Sequence, residues 1–247
     1  MFNILPIFIC FVIVLGASIL PAAAEPPAAK EPFKLPGLVI NAEKRCVDVD
    51  ATVCLEQGAL ELIACTKDSK EHESVVVVEA LPVHIHTALL LLGARNGNPA
   101  MRRPINKEQT LWADVPPRGD PIDVFLEFKD AEGKAVERPI GDFIMRSDED
   151  GDAPADERAG GFSSTFIFAG SQLHGEKDGP KKYLADVTGN VISISTFGDE
   201  LLCLPDIQSH ENGALMWQIN SDLLPKLGTK VILRLCLKKQ PEMPAEP

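Results

Sequence analysis

The first regular stretch of the chain alternates apolar and polar positions. Every second residue from 47 to 55 is apolar, which predicts a half-buried strand. The alternation resumes over residues 60–64, after Gln57-Gly58. A two-residue hairpin loop at Gln57-Gly58 would put all of these apolar side chains on one face, with the pairs 54/61 and 52/63. We therefore expect a hairpin here.

The densest apolar run after the leader lies between residues 70 and 99. Residues 74–79 are typical of a short buried strand. Pro82 and Gly93 then bound a helix over residues 82–92, because proline suits the first helical turn and glycine suits the residue just past the last. Within that helix, His84 and His86 lie about 200° apart around the axis, so they cannot share one ligand.

Beyond residue 119 the pattern predicts almost only short strands. These are residues 123–129, 134–138, 162–169, 183–187, 191–197, 215–220 and 229–237. The chain shows no internal repeat and no heptad pattern. We predict an α+β fold with mostly antiparallel short strands and one prominent helix at about 82–92.

The N-terminal residues predict export. Residues 4–20 are almost continuously apolar, and small residues precede Glu25, which is typical of a signal peptide covering residues 1–24. Because no Lys or Arg precedes Lys30, an N-terminal membrane anchor is the alternative. We expect a Pro-rich linker at 25–37, one domain at 38–239 and a disordered tail at 240–247, with a periplasmic or extracellular location.

The net charge of −12 lies entirely in the part of the chain after the leader. Phosphate backbones and anionic lipids repel such an acidic protein, which argues against nucleic-acid binding and membrane-surface docking. We therefore expect an unknown protein or small-molecule partner, and no stable membrane span once the signal peptide is cleaved.

The chain has six cysteines, and loss of Cys10 with the leader leaves an odd number. The expected hairpin puts Cys54 and Cys65 on the polar face, roughly 13 Å apart at ~3.3 Å per residue, which is too far for a disulfide. They could form a thiolate metal site or a redox contact, or they could be quiet buried thiols. Neighbouring Asp50 and Glu61 would raise both thiol pKa values.

His72, Glu73 and His86 are the candidate metal ligands. A His/Glu/His set can bind zinc or another divalent ion, and a turn at residues 80–82 could bring the start of the helix back toward His72. The alternative is that His72 and Glu73 bond to the backbone while His86 is partly buried. We predict no catalytic residues, because no nucleophile–base pair is visible, and no cofactor beyond a possible divalent metal such as zinc.

Several short motifs together resemble the YdjY domain. They are Val53-Cys54-Leu55 with Gly58 and Leu60-Glu61, Cys65, Lys70-x-His72-Glu73-Ser74, His86-x-x-Leu89-Leu90-x-x-Gly93-Ala94 with Gly97 and Pro99, Phe168-Ala169-Gly170-Ser171, Tyr183-Leu184-Ala185-Asp186, Leu204-Pro205, and Pro225 with Gly228-Thr229-x-Val231. The resemblance implies an exported bacterial protein without an established activity. Some relatives carry a ferredoxin-like label, but this chain lacks the closely spaced cysteines of a cluster. It also has Cys203 where an acidic residue would be expected.

The function expected from the sequence is therefore a non-catalytic binding or accessory module of the cell envelope. The alternative is a metal-binding or redox-associated protein that uses the His/Glu set and the nearby cysteines.

Overall fold

The computed structural model describes residues 35–108, 110–147, 161–176, 179–207 and 216–238 of the 247-residue chain. The expected signal peptide (1–24), most of the expected linker (25–37) and the expected tail (240–247) lie outside these ranges. Among the described helices, none combines the length and the apolar character needed to span a membrane.

Strands dominate the described part of the chain. In order they are β1 (Leu38–Asn41), β2 (Cys46–Val53), β3 (Leu62–Thr66), β4 (Ser74–Val78), β5 (Asn96–Asn98), β6 (Met101–Pro104), β7 (Trp112–Val115), β8 (Arg118–Gly119), β9 (Pro121–Lys129), β10 (Ala135–Pro139), β11 (Ile144–Arg146), β12 (Thr165–Phe168), β13 (Leu173–His174), β14 (Lys182–Tyr183), β15 (Asn190–Ser193), β16 (Leu202–Cys203), β17 (Trp217–Ile219) and β18 (Lys230–Leu237). The α-helices are α1 (Pro82–Leu91) and α2 (Leu184–Thr188), and 3-10 turns occur at Glu71–Glu73 and Ile140–Phe143.

Eight of these strands close into a barrel. Hydrogen-bonded neighbours follow the order β2-β18-β9-β12-β16-β15-β3-β4, and β4 pairs again with β2. The β3–β4 and β15–β16 contacts are parallel, and the other six are antiparallel. β1 pairs with β2, and β10 pairs with β9. A barrel of eight strands has an interior that side chains alone can fill.

The register brings the buried residues of neighbouring strands together inside this barrel. Val49 of β2 pairs with Leu233 of β18, which pairs with Leu126 of β9. At the closure, Val53 of β2 pairs with Val76 of β4. All five residues are almost inaccessible to solvent and belong to one core. Because side chains alternate along a strand, the residues between them point to the outer face of the barrel.

The helix expected at 82–92 is confirmed, since α1 spans Pro82–Leu91 and buries Ile85, Ala88 and Leu89 in the main core. The expected α+β fold class is nevertheless wrong. The described residues are mostly β, with 43% in strands and 12% in helices, and the closed barrel is at the centre of the fold. The reason is that barrel closure depends on pairings such as β2 with β18, which join distant segments and leave no local pattern.

The hairpin expected at Gln57-Gly58 is also wrong. β2 and β3 do not pair with each other, because β4 lies between them. Val76 of β4 pairs with Val53 on one side and with Ala64 on the other. Alternation specifies which face of a strand is buried, but it does not specify the neighbouring strand. The valine-rich β4, buried along most of its length, takes the position between the two.

One disulfide and three free cysteines occur among the described residues. Cys46 and Cys236 are bonded, whereas Cys54, Cys65 and Cys203 are free. The alternation in the sequence also places Cys46 on the polar face of its strand, and the pairing of the cysteines could not be predicted from it. The pairing with Cys236 follows from the β2–β18 register, which the sequence alone does not reveal.

Candidate functional site

A row of cross-strand neighbours crosses the outer face of the barrel over β18, β2, β4 and β3. Lys230 pairs with Thr52, Thr52 pairs with Val77, and Val77 pairs with Cys65. Each of these residues alternates with an interior residue of its own strand, so this row points outward. Two grooves lie along the outer face at this row.

The first groove, which we call the Val77 groove, has a volume of about 690 Å³. The second, the Ile232 groove, has a volume of about 650 Å³ and lies over β18 and its neighbours. Volumes of this size are typical of ligand sites. Glu79 and Lys230 line both grooves, so the grooves meet at this pair of residues.

Glu79 and Lys230 form an ion pair at the boundary between the grooves. Lys230 Nζ donates to Glu79 Oε1 at 2.6 Å. This hydrogen bond, with the positive charge of Lys230, lowers the pKa of Glu79. Both side chains are exposed, so solvent screens the pair and a ligand can contact either partner.

The Val77 groove combines an apolar floor with charges of both signs. Val77 and Leu81 supply apolar surface, Thr52 and Thr66 supply hydroxyls, and Lys67, Glu71 and Asp186 supply charge beside the shared ion pair. Asp186 accepts a hydrogen bond from Val83 N at 2.9 Å, in the first turn of α1. Burial is the main cause of a raised pKa at Asp186. This groove suits a ligand with both apolar and charged groups.

The Ile232 groove repeats this chemistry on the other side of the ion pair. Its apolar surface includes Ile232 and Phe128. Its charged groups, besides the shared pair, are Asp50, Glu127 and Lys129. In each groove the lining carboxylates outnumber the lysine ammonium groups by three to two, but Glu127 of the Ile232 groove is paired with Arg234, so the negative excess is greater in the Val77 groove.

Cys54 and Cys65 lie on either side of β4, and their side chains interact. The N–H of Cys54 donates to Val75 O at 3.1 Å, and its Sγ donates to Ser74 O at 3.2 Å. Cys65 lies opposite Val77 on β3. The two thiols also interact with each other. The hairpin register that predicted a separation of roughly 13 Å does not form, because β4 lies between β2 and β3.

The contact between the two thiols shifts their pKa values in opposite directions. Cys54 can turn its single S–H from Ser74 O toward a Cys65 thiolate, and this hydrogen bond is the main cause that lowers the pKa of Cys65 to about 7, while burial opposes it. Hydrogen bonds from Ser74, Ser69 and the backbone of Lys70 act in the same direction as the bond from Cys54. The bond to Cys65, followed by burial, raises the pKa of Cys54. The expectation that both pKa values rise is therefore wrong for Cys65.

His72 and Glu73 lie beside each other in the 3-10 turn before β4. His72 Nε2 is 3.7 Å from Glu73 Oε2, and the His72 side chain is 78% exposed. The other carboxylate oxygen of Glu73 is 3.4 Å from Lys70 Nζ. Lys70 Nζ also lies 3.5 Å from the centre of the Phe197 ring. The Glu73 carboxylate therefore interacts with the side chains of Lys70 and His72, its neighbours in the same turn.

His86 lies in a different environment. Its Nδ1 is 2.7 Å from the hydroxyl of Tyr183, which donates to Gly170 O at 2.9 Å. Because that hydroxyl has one proton, His86 Nδ1 must donate to it. The His86 ring also meets the Phe168 ring edge-on at 4.9 Å, and burial lowers the pKa of His86.

The three expected metal ligands are not brought into one site. Within the described ranges, no group of three or more His, Cys, Asp or Glu side chains is arranged to hold a metal ion. Of the expected site residues, the structure brings together Cys54 with Cys65, and His72 with Glu73.

The residues at which the grooves meet could not be found from the sequence. Glu79 and Lys230 are 151 positions apart, and no local pattern connects them. Tyr183 did carry a signal, since it is the sole tyrosine of the chain and lies in a motif shared with the resembled family. Asp186 lies in the same motif.

Comparison with known proteins yields one match. A family model described as the YdjY domain matches residues 38–236, which is most of the chain. No curated protein and no solved structure matches the chain. The matched range begins at β1 and contains all barrel strands except the last residue of β18, Leu237. The chain belongs to the YdjY domain family.

Proposed function

We propose that this chain is an exported, non-catalytic binding module of the cell envelope, and that it holds an extended peptide segment of a partner protein in the Val77 and Ile232 grooves. The observation that carries the proposal is the arrangement of the two grooves, which meet at the Glu79–Lys230 ion pair. Because the grooves share Glu79 and Lys230, a ligand that extends past this ion pair can contact both of them.

The chemistry of the grooves supports a peptide ligand. Apolar floors such as that formed by Val77 and Leu81 would accept alternate side chains of an extended segment, while the hydroxyls of Thr52 and Thr66 can bond to peptide groups. The excess of carboxylates favours a segment with basic residues. Opening of the exposed Glu79–Lys230 pair would expose one charge of each sign to the ligand.

The sequence supports the export part of the proposal. The apolar stretch at residues 4–20, followed by small residues before Glu25, is typical of a cleaved signal peptide. The high negative charge of the remaining chain favours solubility outside the cytoplasm.

Site-specific photo-crosslinking in the producing cell tests the proposal. A photoreactive residue at Thr52 or Ile232 should capture the same partner segment. Leu173, which is 65% exposed on β13, is the control position and should not capture it. The captured segment, made as a synthetic peptide, should bind the purified exported chain in calorimetric titrations, and Ile232→Asp should weaken that binding. Equal capture at Leu173, or unchanged binding by Ile232→Asp, contradicts the proposal.

The alternative function, a metal-binding or redox-associated protein, has one specific observation in its favour. That observation is the contact between Cys54 and Cys65, and it concerns the thiols rather than the His72, Glu73 and His86 set.

A further inference from the structure

We propose that Cys54 and Cys65 bind a soft monovalent metal ion of the Cu(I) and Ag(I) class as a two-coordinate dithiolate. The observation behind this proposal is that Cys54 and Cys65 flank β4 and both interact with Ser74 as well as with each other. Cys54 Sγ is 3.2 Å from Ser74 O, and the Cys65 thiol interacts with the Ser74 hydroxyl and with the Cys54 thiol. The site does not depend on the peptide proposed for the grooves.

The two sulfurs are positioned by paired strands. Cys54 directly follows β2 and is held to β4 by the bond from its N–H to Val75 O. Cys65 lies within β3 and pairs with Val77 of β4. Because β4 is hydrogen-bonded to both strands, the backbone around both thiols belongs to the barrel wall. Ligands held on regular elements keep their geometry better than ligands on loops.

The number and softness of the ligands select the class of ion. Thiolate sulfur is a soft ligand and prefers soft ions such as Cu(I). The structure provides two sulfur ligands here, and a closed-shell monovalent ion is satisfied by two thiolates in a line. Zinc sites need about four protein ligands, and the described residues around Cys54 and Cys65 do not form a metal-binding group of even three. The pair therefore fits Cu(I) or Ag(I) better than Zn²⁺.

The neighbours of Cys65 suit the charge of such a complex. Two thiolates and one monovalent ion carry one net negative charge. The Ser69 and Ser74 hydroxyls and the Lys70 N–H lie within hydrogen-bonding reach of Cys65 and can donate to its sulfur. Each hydroxyl also lies near a carbonyl oxygen, Thr66 O at 2.6 Å and Lys70 O at 2.7 Å, so it can turn toward the sulfur when the ion binds.

Access to the site is through Cys54. Cys54 is half-buried, whereas Cys65 is fully buried. Glu71 acts electrostatically on Cys54 and also lines the Val77 groove, so its carboxylate attracts a cation toward the accessible thiol. The ion forms bonds to both sulfurs and displaces the proton of Cys54, together with that of Cys65 wherever this thiol is protonated. No electron is transferred in this step.

Anaerobic titration with a chromophoric Cu(I) chelate tests the site. The exported chain, purified with its Cys46–Cys236 disulfide intact, should take one Cu(I) per chain from the chelator. Cys54→Ser and Cys65→Ser should each abolish this transfer. Cys203→Ser is the matched control, because Cys203 is also a free, buried strand cysteine, and it should bind as the native chain does. Ser74→Ala should weaken binding by about 10-fold to 100-fold.

A second measurement covers the case in which a variant does not fold. One equivalent of Ag(I) added to the native chain should give a complex of one silver ion per chain in native mass spectrometry. Absence of this complex overturns the proposal. So does loss of Cu(I) binding in Cys203→Ser, or tight Zn²⁺ binding at the same thiols. Recovery of a Cys54–Cys65 disulfide from the exported chain would also overturn it, in favour of a redox pair.

Discussion

Cys46 and Cys236 lie directly opposite each other on β2 and β18, and their disulfide joins Cα atoms 4.1 Å apart. The bond links residues 190 positions apart, so it ties the first strand of the barrel to the last. Because β2 and β18 are also hydrogen-bonded neighbours, the disulfide covalently fixes a strand pairing between two distant parts of the sequence.

Removal of this disulfide should destabilise the barrel by about 2–5 kcal/mol, because the unfolded chain regains the freedom of a very long loop. Urea unfolding of Cys46→Ala/Cys236→Ala should therefore show a lower midpoint than the native chain. Added reductant should lower the native midpoint in the same way and leave the double variant unchanged. Identical midpoints for the native and variant chains would contradict the prediction.

Arg234 forms a network with three carboxylates on the outer face of β18. It binds Asp48 with two hydrogen bonds of 2.6 and 2.8 Å, and it also contacts Glu127 and Glu137. The Arg234 residue is 8% exposed. Replacement by methionine keeps most of the packing but leaves the carboxylates facing one another without the cation.

We expect Arg234→Met to cost about 2–4 kcal/mol of unfolding free energy, less than for a fully buried network because Glu127 and Glu137 are partly solvated. The loss should be larger at low ionic strength. Arg102→Met is the control, since Arg102 and Asp114 form a well-exposed pair whose loss should cost less than about 1 kcal/mol. Equal losses of unfolding free energy for the two variants in urea titrations would show that the Arg234 network adds no stability beyond that of an exposed ion pair.

The alternation of apolar and polar residues correctly predicted which face of β2 is buried, but it could not predict which strands pair with each other. Val47, Val49, Ala51 and Val53 are all buried on one face of β2, as the pattern indicates. The same pattern cannot show that β4 enters between β2 and β3, because the pairing energy comes from residues elsewhere in the chain. Helix α1 was predictable because Pro82 and Gly93 are local signals at its two ends.

Cys65 should be the first of the three free thiols to ionise. Its pKa is lowered to about 7, mainly by the hydrogen bond from Cys54, whereas burial raises the pKa of Cys203. Thiolate absorbance in the ultraviolet should therefore rise by one thiolate per chain as the pH rises through about 7. Cys203→Ser should keep this step and Cys65→Ser should lose it.

Cys54→Ala provides a further check on the same pKa. Without the Cys54 thiol, the main donor to Cys65 is gone, and the thiolate step should move to higher pH. A step that stays in place would show that the hydrogen bond between the thiols does not control the ionisation. Because the folded pKa of Cys65 lies below its unfolded value, its contribution to stability is present above the unfolded pKa and is lost as the pH falls through about 7.

The candidate site was only partly predictable for a related reason. Cys54 and Cys65 could be selected by residue type, yet their contact depends on β4 and on the loop that carries Ser69 and Lys70 over β3. The grooves depend on the closure of β18 onto β2, which brings Lys230 to Glu79. Residue types can thus identify candidate chemistry, whereas the long-range pairing decides which of these groups meet.

Tyr183 offers a direct optical test of the polar cluster around His86. Burial, aided by the negative charge of Asp186, raises the pKa of Tyr183, and this residue is the sole tyrosine in the chain. In the folded protein, phenolate absorbance should therefore remain absent at about pH 10, where the unfolded chain in urea titrates. Stability should fall as the pH rises above about 10, because only the unfolded state then releases this proton.

Tyr183→Phe removes the hydroxyl between His86 Nδ1 and Gly170 O and should lower the unfolding free energy by about 1–3 kcal/mol. A folded-state phenolate midpoint at about 10 would show that the hydroxyl is solvated and does not link His86 to Gly170.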